Sequence, residues 1–322
     1  MALEAYYKQE GWMRDYTPDA NLTGGTVIQM ADGTAGVVVT DTDSGKLGAV
    51  RVAGHFTVPK TSGVVILDGG QVFWDHSANE ATYRQVSDRD FYLGTAVGDA
   101  ASASTTMVVD FNRRPHYKVD FSADSVANSV IVGTAAAGGF GYPIRKGGGN
   151  SFLITSTNEA QKADLLSVQG WATGANAIVE GAFRVVSDGS GTATDVNLGC
   201  ASATHATDAD SIAESVFIHL NGNEANIYAE SDDGTTEVAA TDTTIDYTEG
   251  SALSTRVEFW MDMRDPASVK IYINGAQVLS GSTFNVSAAV GPWFLLAHIE
   301  KTASTDTYEL SVDWLRVRTS EK

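Results

Sequence analysis

Residues 51–75, RVAGHFTVPKTSGVVILDGGQVFWD, leave little choice of secondary structure. Val52, Phe56 and Val58 alternate with smaller or polar residues, the pattern of a strand with one covered face. Val64, Val65, Ile66 and Leu67 run together, as in a strand covered on both faces. Pro59 has no N–H to give to a ladder, so the first strand is expected to end near Val58. Gly69-Gly70 allows the positive φ of a sharp return into 71–74. Two tight strand connections so close together predict a small, glycine-hinged β-barrel.

The remainder of the chain extends this expectation. It has 322 residues, which suits two domains, and its 32 glycines and long Ser, Thr, Ala and Val tracts lack heptads or helical apolar stripes. The fold class read from this is all-β. Asp32-Gly33 between 26–30 and 34–40 marks a hairpin, and 79–85, 88–97 and 106–111 add short strands. Asn112-Arg113-Arg114-Pro115 then stops the apolar pattern, clusters charge and disfavours helix before the proline. The expected division is an arm at 1–22, a small β domain at 23–112 and an antiparallel β-sandwich at 113–322, with the glycine-rich 138–150 as a loop. Asn274-Gly275, between KIYI and AQV, is the sharpest hairpin signal in the chain.

Charge and cysteine content narrow the function classes. Forty acidic against 21 basic residues give a net charge of −19, and both halves are acidic, with seven basic against fourteen acidic residues in 1–112. Such a surface repels phosphate backbones, which argues against direct nucleic-acid binding. No apolar run reaches the ~18 residues of a membrane span, so membrane insertion is not expected. Glu4, Lys8 and Glu10 interrupt the start before any apolar run, which argues against a secretory signal and for synthesis in a host cytoplasm. Cys200 is the single cysteine and is expected to be a buried thiol.

The order Gly54-His55-Phe56-Thr57-Val58-Pro59-Lys60, then Gly69-Gly70-Gln71-Val72-Phe73-Trp74-Asp75, then Leu93-Gly94-Thr95-Ala96-Val97 resembles the capsid cement, or head decoration, proteins of tailed phages. The resemblance covers about the first 112 residues. It implies a virion protein on the outer surface of the head, with the major capsid protein as partner and, at a threefold junction, a homotrimer. The candidate capsid contacts are Tyr6, Tyr7, Trp12 and Tyr16 of the arm, with Phe56 and Lys60 of the motif. The arm's aromatics suit an anchor on a neighbouring subunit, or an arm folded over its own barrel.

The run VEFWMDMRDPASVKIYINGAQV, with TYELSVDWLRVR near the end, is similar to concanavalin-like and laminin-G-like jelly rolls, and implies a sandwich of the kind that often binds glycans. In 257–263, Glu258, Trp260 and Asp262 share one strand face. With Tyr272 they are the candidate glycan site, for a host-surface glycan; the alternative is a tryptophan under a loop with solvated acids beside it. This leaves a carbohydrate-binding adhesin as the second function class.

The sequence carries no recognisable motif for other chemistry. Glu258 and Asp262 lie ~13 Å apart along a strand, too far for a retaining carboxylate pair, and Glu309 and Asp313 repeat that spacing. There is no Gly-x-Ser-x-Gly and no His-Glu-x-x-His, and the six histidines are scattered. Asp41-Thr42-Asp43-Ser44-Gly45 mimics a calcium loop but has Val52 where a bidentate Glu is needed. Asp208 with Asp210, and Asp232 with Asp233, are the other acidic pairs considered for calcium. The expectation is no cofactor, no metal and no enzymatic activity.

Overall fold

The structure, a computed structural model, describes residues 12–122, 129–132, 139–141 and 150–320. Tyr6, Tyr7 and most of the 138–150 loop lie outside the described residues. The chain divides into two compact units, Met1–His116 and Tyr117–Lys322. Among the described residues there is no α-helix, and no helix is long and apolar enough to cross a membrane. The all-β expectation holds.

Among its described residues the first unit has nine strands: β1 (Met13–Tyr16), β2 (Val27–Gln29), β3 (Ala35–Val38), β4 (Gly48–Arg51), β5 (His55–Pro59), β6 (Gln71–Asp75), β7 (Glu80–Thr82), β8 (Phe91–Ala96) and β9 (Thr106–Phe111). Four form a sheet in the order β1-β4-β3-β2, and five a sheet in the order β5-β9-β8-β6-β7. The Asp32-Gly33 hairpin forms as read, with Gln29 opposite Ala35 and Gly33 at a φ of 83°. In the second sheet the alternation of β9 sends Met107, Val109 and Phe111 inward, and that of β6 sends Val72 and Trp74. A parallel bridge from Lys60 to Ala81 joins the end of β5 to β7, so the five strands curl into the small barrel that the sequence implies. Gly94 makes the curl possible, because a Cβ there would run into the carbonyl of Asp110 on β9. Asn112 pins the four-stranded sheet to the barrel: its Oδ1 accepts from Ala35 N at 2.9 Å and its Nδ2 donates to Val52 O at 2.6 Å.

The second unit is a sandwich. One sheet holds β10 (Val119–Ser122), β12 (Gly139–Gly141), β13 (Asn150–Ile154), β15 (Ala177–Ser187), β20 (Val257–Met263), β21 (Lys270–Ile273), β22 (Ala276–Val278) and β24 (Tyr308–Arg318). The other runs β11 (Ser129–Val132), β14 (Glu159–Ser167), β23 (Phe294–Ser304), β16 (Thr194–Ala201), β17 (Glu214–Asn221), β18 (Asn226–Asp233) and β19 (Glu237–Asp246). Every pairing between these strands is antiparallel. The inner faces share one core, with Phe152, Phe183, Phe259 and Met261 from the first sheet against Leu165, Leu198, Ile218 and Ile299 from the second. This is two-sheet packing, in which alternate residues of each strand face the partner sheet. Asn274 and Gly275 take φ values of 50° and 84°, the two positive angles that a two-residue hairpin matched to strand twist requires. Cys200 is buried in the core, as expected.

Several details differ from the sequence reading. Residues 64–67 form no strand, because the chain there makes only an isolated bridge from Ile66 to Ala100, and part of the expected arm, Met13–Tyr16, is a strand paired with Gly48–Arg51. Gly139–Gly141 is a strand where a loop was expected, because it pairs with the start of β13. Strands β11, β16 and β19 were not anticipated. Lys60 is 2% exposed, with its Nζ donating to Thr61 O at 2.8 Å, so burial at the barrel seam removes it from the candidate contact surface.

Candidate functional site

Alternation along five strands of the seven-stranded sheet leaves one face apolar, toward the core, and the other dense in titratable groups. The register lines these groups up. Asp164 on β14 pairs with His298 on β23, His298 with Asn197 on β16, Asn197 with His219 on β17, and His219 with Tyr228 on β18. One step along, Lys162 pairs with Glu300, Glu300 with Asp195, and Asp195 with Asn221. A step the other way, Phe217 pairs with Glu230. The connection from β16 to β17 folds back over this face: Ala209 and Ile212 pack on Phe217, Leu296 and Ala201, which carries Asp210 to the polar rows.

Two imidazoles organise the carboxylates. His219 Nδ1 is 3.3 Å from Asp210 Oδ1 and 3.7 Å from Glu230 Oε2, and its Nε2 is 3.5 Å from Asp195 Oδ1. Asn197 Nδ2 donates to Asp210 Oδ1 at 2.7 Å and to Glu230 Oε1 at 2.8 Å. Burial pulls the His219 pKa down, but the hydrogen bonds of Asp210 and Glu230 and the charge of Asp195 outweigh it and push it up to about 11. Burial raises Glu230 to about 7 and Asp195 to about 6, against the opposing pull of His219. For Asp210 the upward push of burial loses to the hydrogen bonds from His219 and Asn197, and its pKa falls below the ordinary value. His298 bonds through Nδ1 to Asp164, with Glu300 Oε2 3.3 Å from Nε2. Burial lowers its pKa, and the two carboxylates more than reverse this, to about 9. Lys162 Nζ, 2.8 Å from Asp164 Oδ2, completes that group.

A cavity of about 710 Å³ opens at the Lys162 and Glu300 end of the face, lined also by Thr204, His205, Thr207 and Thr302. That is the size of a small-ligand site, and its lining supplies hydroxyls, a cation and a carboxylate. Carboxylates raised toward neutrality beside charged imidazoles can bind a cation, hold hydroxyl groups or exchange protons near neutral pH.

The sequence-predicted glycan residues lie elsewhere. Glu258, Trp260 and Asp262 share a face of β20, and Trp260 pairs with Tyr272, as the alternation implies. All four are buried, between 6% and 8% exposed, so they offer no open platform for a sugar ring, and the acids are not solvated. Arg256 pairs with Glu258 at 2.8 Å and Arg264 with Asp262 at 2.7 Å. Of the capsid candidates, Trp12 is 61% exposed, while Tyr16 and Phe56 are half-buried. The acidic pairs considered for calcium serve turns instead: Asp208 Oδ1 accepts from Asp210 N, Asp232 from Gly234 N and Asp233 from Thr235 N.

What the sequence reading missed is β16, which carries Asp195 and Asn197. Its signal was present as Val196, Leu198 and Cys200 alternating with polar or small residues.

Residues 8–111 match the model of a family described as phage cement protein. No curated protein matches the chain. Among solved structures, the chain is similar to the carbohydrate recognition domain of Emp47p, at 13% identity and a TM-score of 0.43, over 60% of this chain and 89% of that one. It is similar to an endo-β-1,4-glucuronan lyase from the fungus Trichoderma reesei, at 12% identity and a TM-score of 0.45, over 63% and 96% of the two chains. A carbohydrate esterase from the Shiga toxin-encoding bacteriophage phi24B matches at 11% identity and a TM-score of 0.41, over 64% and 99%. A lyase and an esterase among these structures overturn the expectation of no enzymatic activity. That expectation came from motifs local in sequence, whereas the carboxylates and imidazoles of this face are gathered from separate strands.

Proposed function

We propose that the chain is a capsid decoration protein of a tailed phage. The first unit binds the major capsid protein on the outer surface of the assembled head, in groups of three, and the second unit is displayed outward. The observation that carries this reading is the cement-family match over residues 8–111, a stretch that falls within one compact unit. The mechanism is linkage: a protein that binds only the assembled lattice stabilises it by the free energy of that binding. Trp12, exposed at the edge of the four-stranded sheet, is the anchor retained from the candidate contacts. Co-sedimentation with undecorated heads tests the reading. The expected result is saturable binding that raises the temperature of head disruption; heads that pellet without the protein at any concentration would refute it.

A second role is supported by the cavity beside Lys162 and Glu300. The displayed unit binds a host-surface glycan there, with the threonine hydroxyls, Lys162 and Glu300 meeting sugar hydroxyls. On a glycan array the full chain is expected to retain a defined set of glycans and to lose them in Lys162→Ala. Silence of the unaltered chain, or retention in the variant, would remove this role and leave decoration standing.

A further inference from the structure

Arginines are handled differently in the two units. In the second, each described arginine has a carboxylate: Arg184, Arg256, Arg264, Arg316 and Arg318 pair with Asp313, Glu258, Asp262, Asp120 and Glu180. In the first, Arg14 pairs with Asp32, whereas Arg84, Arg89, Arg113 and Arg114 have no carboxylate partner among the described residues. Arg89, Arg113 and Arg114 are exposed and Arg84 is half-buried. In a chain with 40 acidic and 21 basic residues, carboxylates to neutralise them are not scarce.

Topology gathers the four. Strands β7 and β8 both pair antiparallel with β6, on its two sides, so the 83–90 connection crosses β6 outside the interior filled by Val72, Trp74 and Leu93. Arg84 and Arg89 stand at the two ends of this crossing. Arg113 and Arg114 lie across β8, the neighbour of β6. Arg113 O accepts from Tyr92 Oη and from Thr95 Oγ1, and the Arg114 guanidinium is 5.1 Å from the centre of the Tyr92 ring. That ring meets Phe73 of β6 edge-on at 5.6 Å. The arginines therefore share the region over β6 and β8.

The carboxylates at the end of β6 and the start of β8 are committed to backbone donors. Asp90 accepts from His76 N at 3.1 Å, Val86 N at 3.0 Å and Ser87 N at 2.8 Å, and Asp75 Oδ1 accepts from Ser77 N at 2.8 Å and Ala78 N at 3.0 Å. These bonds fix the crossing and leave the guanidiniums without a counter-charge. Asp88 is exposed on the crossing, against four arginines, and Val86 beside it is 71% exposed.

We propose that this basic face over β6 and β8 binds an acidic protein surface, carried by the major capsid protein. Guanidinium forks match carboxylates, and arginine beside an exposed apolar residue such as Val86 suits a protein contact. The net charge of −19 opposes a polyphosphate at longer range. The inference rests on the reading of the first unit as the capsid-binding one, and adds a salt-sensitive contact to the apolar anchor Trp12.

Co-sedimentation of the full chain with undecorated heads across a salt series tests it. The affinity is expected to fall roughly tenfold between ~50 and ~300 mM salt. A variant carrying Arg84→Gln, Arg89→Gln, Arg113→Gln and Arg114→Gln is expected to bind at least about tenfold more weakly, with little salt dependence. Phenylglyoxal labelling of the unaltered chain needs no variant to fold: the four arginines should react in the free chain and be protected on heads, while Arg264 of the second unit reacts alike in both. Head binding that the variant keeps in full, or equal labelling of the four arginines free and bound, would overturn this face and leave the capsid reading standing. No binding by the unaltered chain would remove both. Retention of duplex DNA by the unaltered chain, lost in the variant, would assign the face to phosphate and overturn the proposal.

Discussion

The two sheets of the second unit both carry buried charge on the faces turned away from the shared core, and they handle it in opposite ways. On the eight-stranded sheet carboxylates have their own arginines: Asp313 with Arg184, Glu180 with Arg318, Glu258 with Arg256, Asp262 with Arg264 and Asp120 with Arg316. Arg256 and Arg316 also stack on Trp314, at 4.7 and 4.9 Å from the ring. On the seven-stranded sheet the carboxylates outnumber the cations, and Asp195, Asp210 and Glu230 share one imidazole. A guanidinium has a fixed charge and a forked geometry that match a carboxylate, so the first face is settled. Imidazoles and carboxylates with displaced pKa values leave the second able to take up protons, cations or ligands.

The sharpest way to break this contrast is to unpair one arginine. Arg184 and Asp313 are both buried, and Arg184→Met is expected to cost about 3–5 kcal/mol in urea denaturation, because it strands a buried carboxylate. Arg184→Met with Asp313→Leu should recover most of that loss. If the single variant costs no more than a surface change, the first face is not held by pairing.

Next in size is a pH effect confined to the second face. The His298 pKa is raised from 6.5 to about 9, with Asp164 on β14, Glu300 on its own strand and Asp195 on β16 facing it. A raised folded-state value means stability that is fully present below pH 6.5 and lost as pH rises through about 9. Asp195 and Glu230, raised to about 6 and about 7, add the same sign at lower pH. The melting temperature of the second unit is therefore expected to fall by several degrees between neutral and alkaline pH, and His298→Gln should flatten the alkaline part. A smaller effect of opposite sign to the arginine test follows for Asp195→Asn. At pH 8, removing that charge is expected to stabilise by about 1–2 kcal/mol, since burial disfavours its ionised form. Trp12→Ala should be smallest, within ~0.5 kcal/mol on folding because the ring is 61% exposed, while weakening head binding.

The parts of this architecture that local chemistry dictates could be read from the chain. Asn274-Gly275 specified its hairpin through two positive φ angles, and the apolar run in 106–111 marked the strand that closes the first domain, which is β9. The motif around Gly54 and Gly69 pointed to the barrel and to the family its match bears out. Alternation also sorted β20 correctly, with Phe259 toward the core and Trp260 away from it. It could not say that the second side would be buried too, because that depends on arginines such as Arg256 and Arg264 closing over it. The polar face was illegible for a related reason. Asp195, Asp210, His219, Glu230 and His298 are far apart in sequence, and only register brings them together. Polar residues on β16 also diluted the apolar signal of the strand that carries two members of the cluster.

The most direct test of the account is a cryo-electron microscopy reconstruction of phage heads saturated with the full chain. The account predicts added density on the outer surface at threefold junctions, with the barrel unit against the capsid lattice and the sandwich outward. Heads with no added density, or with the sandwich against the lattice and the barrel free, would contradict it.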